Sequence, residues 1–209
     1  VAGLFKLNLM RDLMKQNRRE FYILLATFSI TLLLGVQQGL LIGVTLSIFM
    51  VLYNTANPHM TELGAIQGGR LFRNVNRFSE AVVRDDVLIF RFDAPLYFAN
   101  KDFFVEKLYT WVKSRKSDSL KFIVFDAEAV NSVDATAILM LQQVIENFRA
   151  QNIEFCISNA IGPVRDALSA SSMHGHMNQH CMFSTIHDAI IFIDKGVNIH
   201  AEDALQTNM

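Results

Sequence analysis

Two side chains with chemistry to offer stand two residues apart in the run Ser132–Ala137 (SVDATA), where a loop enters a predicted helix: Asp134 and Thr136. A carboxylate there can accept orphan backbone N–H bonds as an N-cap does. A hydroxyl in the first turn lies where the helix dipole favours added negative charge. On the residues alone, Asp134 reads as a structural cap and Thr136 as a packed residue of the helix start. Farther on, His174, His176, His180 and Cys181 form an H-x-H-x3-H-C cluster, with His187 nearby. Imidazole and thiolate at this density could hold Zn, Ni or Cu. The run Ser169–Gln179 is polar and small, however, and reads as a surface loop whose histidines need no ligand, so no metal residue is expected. Lys113, Arg115, Lys116 and Lys121 make a basic turn and strand entry. It reads as a solvated edge, with contact to anionic headgroups as the sharper alternative.

Enzyme signatures are missing. The chain has no G-x-x-x-x-G-K-[ST], no G-x-G-x-x-G after a strand, no H-E-x-x-H and no G-x-S-x-G. Gly64–Gly69 (GAIQGG) reads as a turn-rich stretch, and His187-Asp188 lacks a poised nucleophile. No catalytic or cofactor-binding residue, no cofactor and no enzymatic activity are expected. Net charge is −1, which gives no global basic balance for nucleic acid. Two cysteines, Cys156 and Cys181, make no disulfide framework and suit a reduced, cytosolic setting.

The elements that must position these residues alternate. Val87–Phe92, Lys121–Asp126 and Ile153–Ser158 are short, β-rich and nearly continuously apolar, as buried strands are. Helices are predicted from about Lys101 to Lys116 and Ala135 to Ala150, with shorter ones near Pro163–Ala170 and Ile186–Asp194. Strand–helix alternation predicts an α/β fold, a mixed β-sheet with helices packed on it.

Ahead of it, residues 21–53 run 33 positions without Asp, Glu, Lys, Arg or His. One straight helix of that length would measure about 50 Å, against a hydrocarbon core of about 30 Å. A break at the polar, flexible centre, Gly35-Val36-Gln37-Gln38-Gly39, gives a hairpin of two transmembrane helices, about 20–35 and 37–55. Gly35, Gly39, Gly43 and Ser47 put a small residue at every fourth position, which lets another helix approach closely. Arg11, Lys15, Arg18 and Arg19 flank the block as positive-inside charges at the membrane surface. Residues 1–19 read as an amphipathic helix with Leu7, Leu9, Met10, Leu13 and Met14 on one side. Lying on lipid and packing as a cytosolic linker are equally open to it. Residue 1 is Val, with no signal-peptide pattern, and the chain reads as beginning within a larger protein.

The stretches His59–Asn76 (HMTELGAIQGGRLFRNVN), Phe92–Asn100 (FDAPLYFAN), Phe125-Asp126 and Ser132–Ala137 resemble the SulP family of anion permeases. The match is to the last two membrane spans plus the cytoplasmic STAS domain, and it covers nearly the whole chain. The resemblance implies a membrane hairpin at 20–55, a STAS domain at 56–198 and a flexible tail at 199–209. It implies part of a secondary active transporter for sulfate, bicarbonate or a dicarboxylate, with the STAS domain serving assembly, trafficking or regulation. A homodimer working by alternating access is implied too, with the anion site in earlier spans, so no substrate-binding residue is expected here. Expected partners are membrane lipid, the remaining spans and a cytosolic regulatory protein. The short link after Lys121–Asp126 looks bacterial, which implies a multi-pass inner-membrane protein with its STAS domain in the cytoplasm. In soluble STAS relatives the residue matching Thr136 is phosphorylated, which makes Asp134 and Thr136 regulatory candidates. The alternative is a membrane-tethered STAS module acting through protein partners.

Overall fold

The computed structural model describes residues 11, 14–16, 18–115, 119–171 and 181–195. Leu7, Leu9, Met10 and Leu13 of the amphipathic lead-in, Lys116, His174, His176, His180 and the tail 199–209 lie outside the described residues. The chain divides into two compact units, Val1–Thr55 and Ala56–Met209.

In the first unit, helix α1 spans Arg18–Leu34 and helix α2 spans Val36–Ala56. The break between them is narrower than the polar centre of the sequence suggests. Gln37 and Gln38 are helical, and the chain reverses at Gly35 alone. Gly35 has φ +96°, a conformation open to glycine and strained for other residues. Its N–H still donates to the Thr31 carbonyl at 3.1 Å, and Gly39 N–H donates to the Gly35 carbonyl at 3.1 Å. Backbone groups therefore stay paired through the turn, as an apolar medium requires. At 21 residues, α2 is long and apolar enough to cross a membrane. Thr31 and Thr45 return their hydroxyls to carbonyls four residues back, at 2.7 and 2.8 Å, so neither needs water.

The second unit is a six-stranded mixed sheet in the order β2-β1-β3-β4-β5-β6. The strands are β1 Met60–Ile66, β2 Leu71–Asn74, β3 Val87–Phe92, β4 Phe122–Asp126, β5 Glu154–Ser158 and β6 Met182–Phe183. Strand β1 runs antiparallel to β2 and β3, while β3, β4, β5 and β6 are parallel. Helices α3 (Lys101–Ser114), α4 (Ala135–Arg149), α5 (Gly162–Ala170) and α6 (Ile186–Lys195) complete it. Two-sided burial explains why the three central strands are apolar at nearly every position. On one face Phe90, Phe125 and Phe155 cluster, Phe90 and Phe125 meet Phe104 of α3, and Phe90 meets Trp111, with Phe90 stacked on Phe125 at 5.0 Å. On the other, Phe183 meets Phe192 of α6 at 5.3 Å.

Two local expectations change. Gly64–Ile66 is strand, and only Gln67–Gly69 forms the turn. Arg115 is not part of a solvated edge: its guanidinium donates to Glu62 of β1 and to the Arg84 carbonyl, and its side chain is only 10% exposed. Desolvation pushes the Glu62 carboxyl above its ordinary range, and the Arg115 charge opposes that shift.

Candidate functional site

The loop after β3 and the start of α4 are built as one piece. Leu96 pairs with Val133 in an isolated bridge; Leu96 N–H donates to the Ser132 carbonyl at 3.0 Å, and Asp134 N–H to the Leu96 carbonyl at 3.2 Å. Asn100, fully buried, pins the loop internally: its side chain donates to the Pro95 carbonyl at 2.8 Å and accepts from Tyr97 N–H at 3.0 Å. The segments DAPLYFAN and SVDATA, some thirty-five residues apart, thus meet at the carboxyl ends of the parallel strands.

Asp134 joins them through its side chain. One carboxylate oxygen accepts Ala137 N–H at 2.7 Å and the Thr136 hydroxyl at 2.8 Å. The other accepts Phe98 N–H at 2.9 Å. Asp134 is an N-cap, and also a clamp on the neighbouring loop. Desolvation raises its pKa, but the bonds from Ala137, Thr136 and Phe98 outweigh this and hold it below the ordinary carboxylate range. Thr136 is exposed in the first turn of α4, with its hydroxyl hydrogen committed to Asp134. It lines one end of a groove of about 320 Å³ between α3 and α4, with Lys101, Tyr109, Leu139, Gln143 and Asn147. Phe98 and Leu139 stand 65% and 64% exposed. A phosphoryl group on Thr136 would gain from the helix dipole but would sit beside the Asp134 carboxylate.

A second polar cluster lies at the same strand ends and carries no recognisable motif. Asp126, buried at the end of β4, accepts Asn159 Nδ2 at 2.9 Å and Glu128 N–H at 3.3 Å. Desolvation pushes its pKa up, partly offset by those two hydrogen bonds. Nearby, Asp93 accepts from Arg91 at 2.7 Å and lies 2.6 Å from His59 Nδ1. The sequence patterns include Asp126 and Asn100, without a role for either, and leave out Asn159. Only the polar end of the otherwise apolar strand β5 could have signalled Asn159.

No group of three or more His, Cys, Asp or Glu among the described residues is placed to hold a metal ion. Cys181, counted with the histidines from its spacing, is buried and donates to Glu154 Oε1 at 3.0 Å. His187 faces elsewhere, with Nδ1 3.1 Å from the Gly69 carbonyl.

In the hairpin, Gly35 sits in the turn, while Gly39 and Gly43 face α1. A methyl group at Gly39 would come within 2.8 Å of Thr31 Cα, and one at Gly43 within 2.8 Å of Thr27 Cγ2. The helix that this row admits is the hairpin's own first helix. Ser47 lines a groove of about 890 Å³ along the pair with Thr27, Phe28, Val44 and Ile48. Arg11 and Lys15 are helical and exposed. Arg18 and Arg19 line a notch of about 490 Å³ at the open end, where the Arg19 guanidinium lies 5.4 Å from the Tyr53 ring centre.

The sequence model of the STAS domain matches residues 79–189. The chain is 27% identical to sulfate transporter 4.1, chloroplastic, of Arabidopsis thaliana over 198 residues, covering 91% of this chain and 29% of that protein. A sulfate transporter of Homo sapiens is 26% identical over 226 residues, covering 90% of this chain and 31% of that protein. The chain thus spans about three tenths of the length of the curated relatives it matches. Among solved structures, the murine Solute Carrier 26 family member A9 anion transporter in its inward-facing state shares the fold. The TM-score is 0.75 at 21% identity, over 87% of this chain and 30% of that one.

Proposed function

From the premise that the chain belongs to the STAS-domain family, and is homologous to sulfate transporters of the SulP type, we propose that it is the C-terminal part of a secondary active anion transporter. It is not an enzyme. One observation carries the reading: similarity to proteins named as sulfate transporters runs across the apolar hairpin and the sheet domain together, over 91% of the chain. A STAS domain by itself would imply only a binding module. The hairpin at 20–55 is then the last membrane piece of a scaffold, the domain at 56–198 is cytoplasmic, and the anion site lies in spans outside these residues. Sulfate, bicarbonate or a dicarboxylate is the cargo, a homodimer the working unit, and the membrane the location. The short passage from β4 to α4 supports a bacterial inner membrane.

Reconstitution of the full-length protein in liposomes tests this. Saturable uptake of at least one labelled anion of the three is expected, with none from the 209-residue chain alone. Uptake of none by the full-length protein, inserted and dimeric, would overturn it.

A regulatory role for the STAS domain is favoured by a separate observation. Thr136 is exposed, hydrogen-bonded to Asp134 and flanked by the uncovered side chains of Phe98 and Leu139. Phosphorylation there would set a dianion against the Asp134 carboxylate and release the clamp on Phe98. Thr136→Ala is expected to abolish any phosphate-dependent change in transport or partner binding. A Thr136→Ala transporter regulated as the parent, with Thr136 never modified in the cell, would remove this role.

A further inference from the structure

Cys156 and Cys181 are the two cysteines of the chain, and both are buried free thiols. Cys156 is in β5, and Cys181 immediately precedes β6. Ile157 lies opposite Met182 in the parallel register, and Ile157 N–H donates to the Cys181 carbonyl at 2.8 Å. One residue back, Cys156 and Cys181 therefore stand opposite each other, with their side chains on one face. Neighbouring strands lie about 4.8 Å apart, inside the span of about 4.4–6.8 Å between Cα atoms that a disulfide bridges. Glu154, two residues before Cys156 and on the same face, accepts the Cys181 thiol hydrogen at 3.0 Å. Contact with the Cys156 thiol, burial and Glu154 all disfavour the Cys181 thiolate, so the resting Cys181 thiol stays protonated. Access comes at the sheet edge. Strand β6 has two residues, and so short an edge opens at lower cost than the centre of the sheet.

We infer that Cys156 and Cys181 are a reversible dithiol switch, closed to an interstrand disulfide by a disulfide oxidant such as oxidised glutathione. When β6 opens, Glu154 takes the Cys181 proton and the thiolate attacks one sulfur of the oxidant. The oxidant's S–S bond breaks, a mixed disulfide forms on Cys181, and one glutathione thiolate leaves. Cys156 then gives its proton to that thiolate and attacks the Cys181 sulfur, forming the Cys156–Cys181 bond and releasing the second glutathione as a thiolate, which takes the proton held by Glu154. Two thiol hydrogens and two electrons have passed to the oxidant, and excess dithiothreitol runs the sequence backwards. Closure ties the edge that leads into α6 to the neighbouring strand β5. It does so whether or not the chain belongs to a transporter.

The test oxidises the 209-residue chain in detergent with glutathione disulfide, quenches it in denaturant with iodoacetamide, and maps the peptides by mass spectrometry. A single intrachain link between the Cys156 and Cys181 peptides is expected, lost on reduction. Amide exchange at Met182 and Phe183 should slow about tenfold in the linked form. Cys156→Ser should leave Cys181 carrying glutathione with no intrachain link, and Glu154→Gln should slow closure severalfold without changing its end point. Complete alkylation of both thiols after oxidation, or links only between chains, would overturn the inference.

Discussion

The two units solve opposite solvent problems with similar residues. In the sheet domain the large apolar side chains point inward: Leu88, Phe90, Phe92, Phe104 and Phe148 are fully buried. In the hairpin they point outward: Leu32, Leu33, Val36 and Leu40 are more than half exposed, and Gly39 is the one buried residue of α2. One unit carries its own core. The other has only a seam of glycine and threonine inside, and its outward apolar surface suits lipid or neighbouring helices. A truncation at the same kind of residue should therefore have opposite consequences in the two units.

The sharpest break of that comparison is Phe90→Ala set against Leu33→Ala. Phe90 sits among Phe104, Trp111, Phe125 and Phe155, and its truncation should cost about 3–5 kcal/mol. Leu33 is 83% exposed, and its truncation should leave the sheet domain unchanged. The chain's single tryptophan, Trp111, reports on the domain in a urea titration of the detergent-solubilised chain. A large effect from Leu33→Ala would show that the two units melt together.

Next in size comes the Glu62–Arg115 pair, with side chains only 17% and 10% exposed. Arg115→Ala leaves a largely buried carboxyl with no cation and should cost up to about 3 kcal/mol. Part of that cost should disappear at low pH, where Glu62 takes up a proton. If the cost proves independent of pH, the pair acts through packing alone.

The hairpin counterpart is Gly39→Val. With Thr31 Cα 2.8 Å from an added methyl, the helices must separate, at a cost of about 1–3 kcal/mol. Spin labels at Phe28 and Leu40 should report a longer distance in the variant. An unchanged distance would mean that the seam is loose.

The comparison also explains which parts could be read in advance. The central strands and long helices were legible because burial on two faces, or on one helical stripe, writes itself into local sequence. Strand β1 was not. Its Glu62 makes sense only beside Arg115, 53 positions away, and its Gly64 only beside Ala81, whose Cβ a methyl there would approach to 3.0 Å. Strand β6 is too short for any period. At the site, Asp134 and Thr136 were visible because a cap is a local event. The partner that makes Asp134 a clamp is the backbone N–H of Phe98, and a backbone donor leaves no trace in side-chain identity. Small-residue spacing revealed that a helix approaches α2, but the spacing is the same whichever helix that is.

The smallest effects concern two carboxylates at the same end of the sheet, which should respond to pH with opposite signs. Hydrogen bonds hold Asp134 below its ordinary value of 3.8, against desolvation. Between the two values the unfolded chain binds more protons, so the contribution of Asp134 is present above pH 3.8 and is lost as pH falls through the folded value. Desolvation raises Asp126 above 3.8. There the folded chain binds more protons, so its contribution is complete below 3.8 and is lost as pH rises through the raised value. Asp134→Asn keeps one cap oxygen but turns an amide NH2 toward the Phe98 N–H, so it should cost about 1 kcal/mol at neutral pH, while flattening the loss of stability on the acid side. Asp126→Asn should remove a loss on the rising side. Urea midpoints across a pH series, followed through Trp111, separate the two. Matching slopes in both variants would mean that Asp126 is as well satisfied when ionised as Asp134 is, and that Asn159 and the Glu128 N–H outweigh its burial.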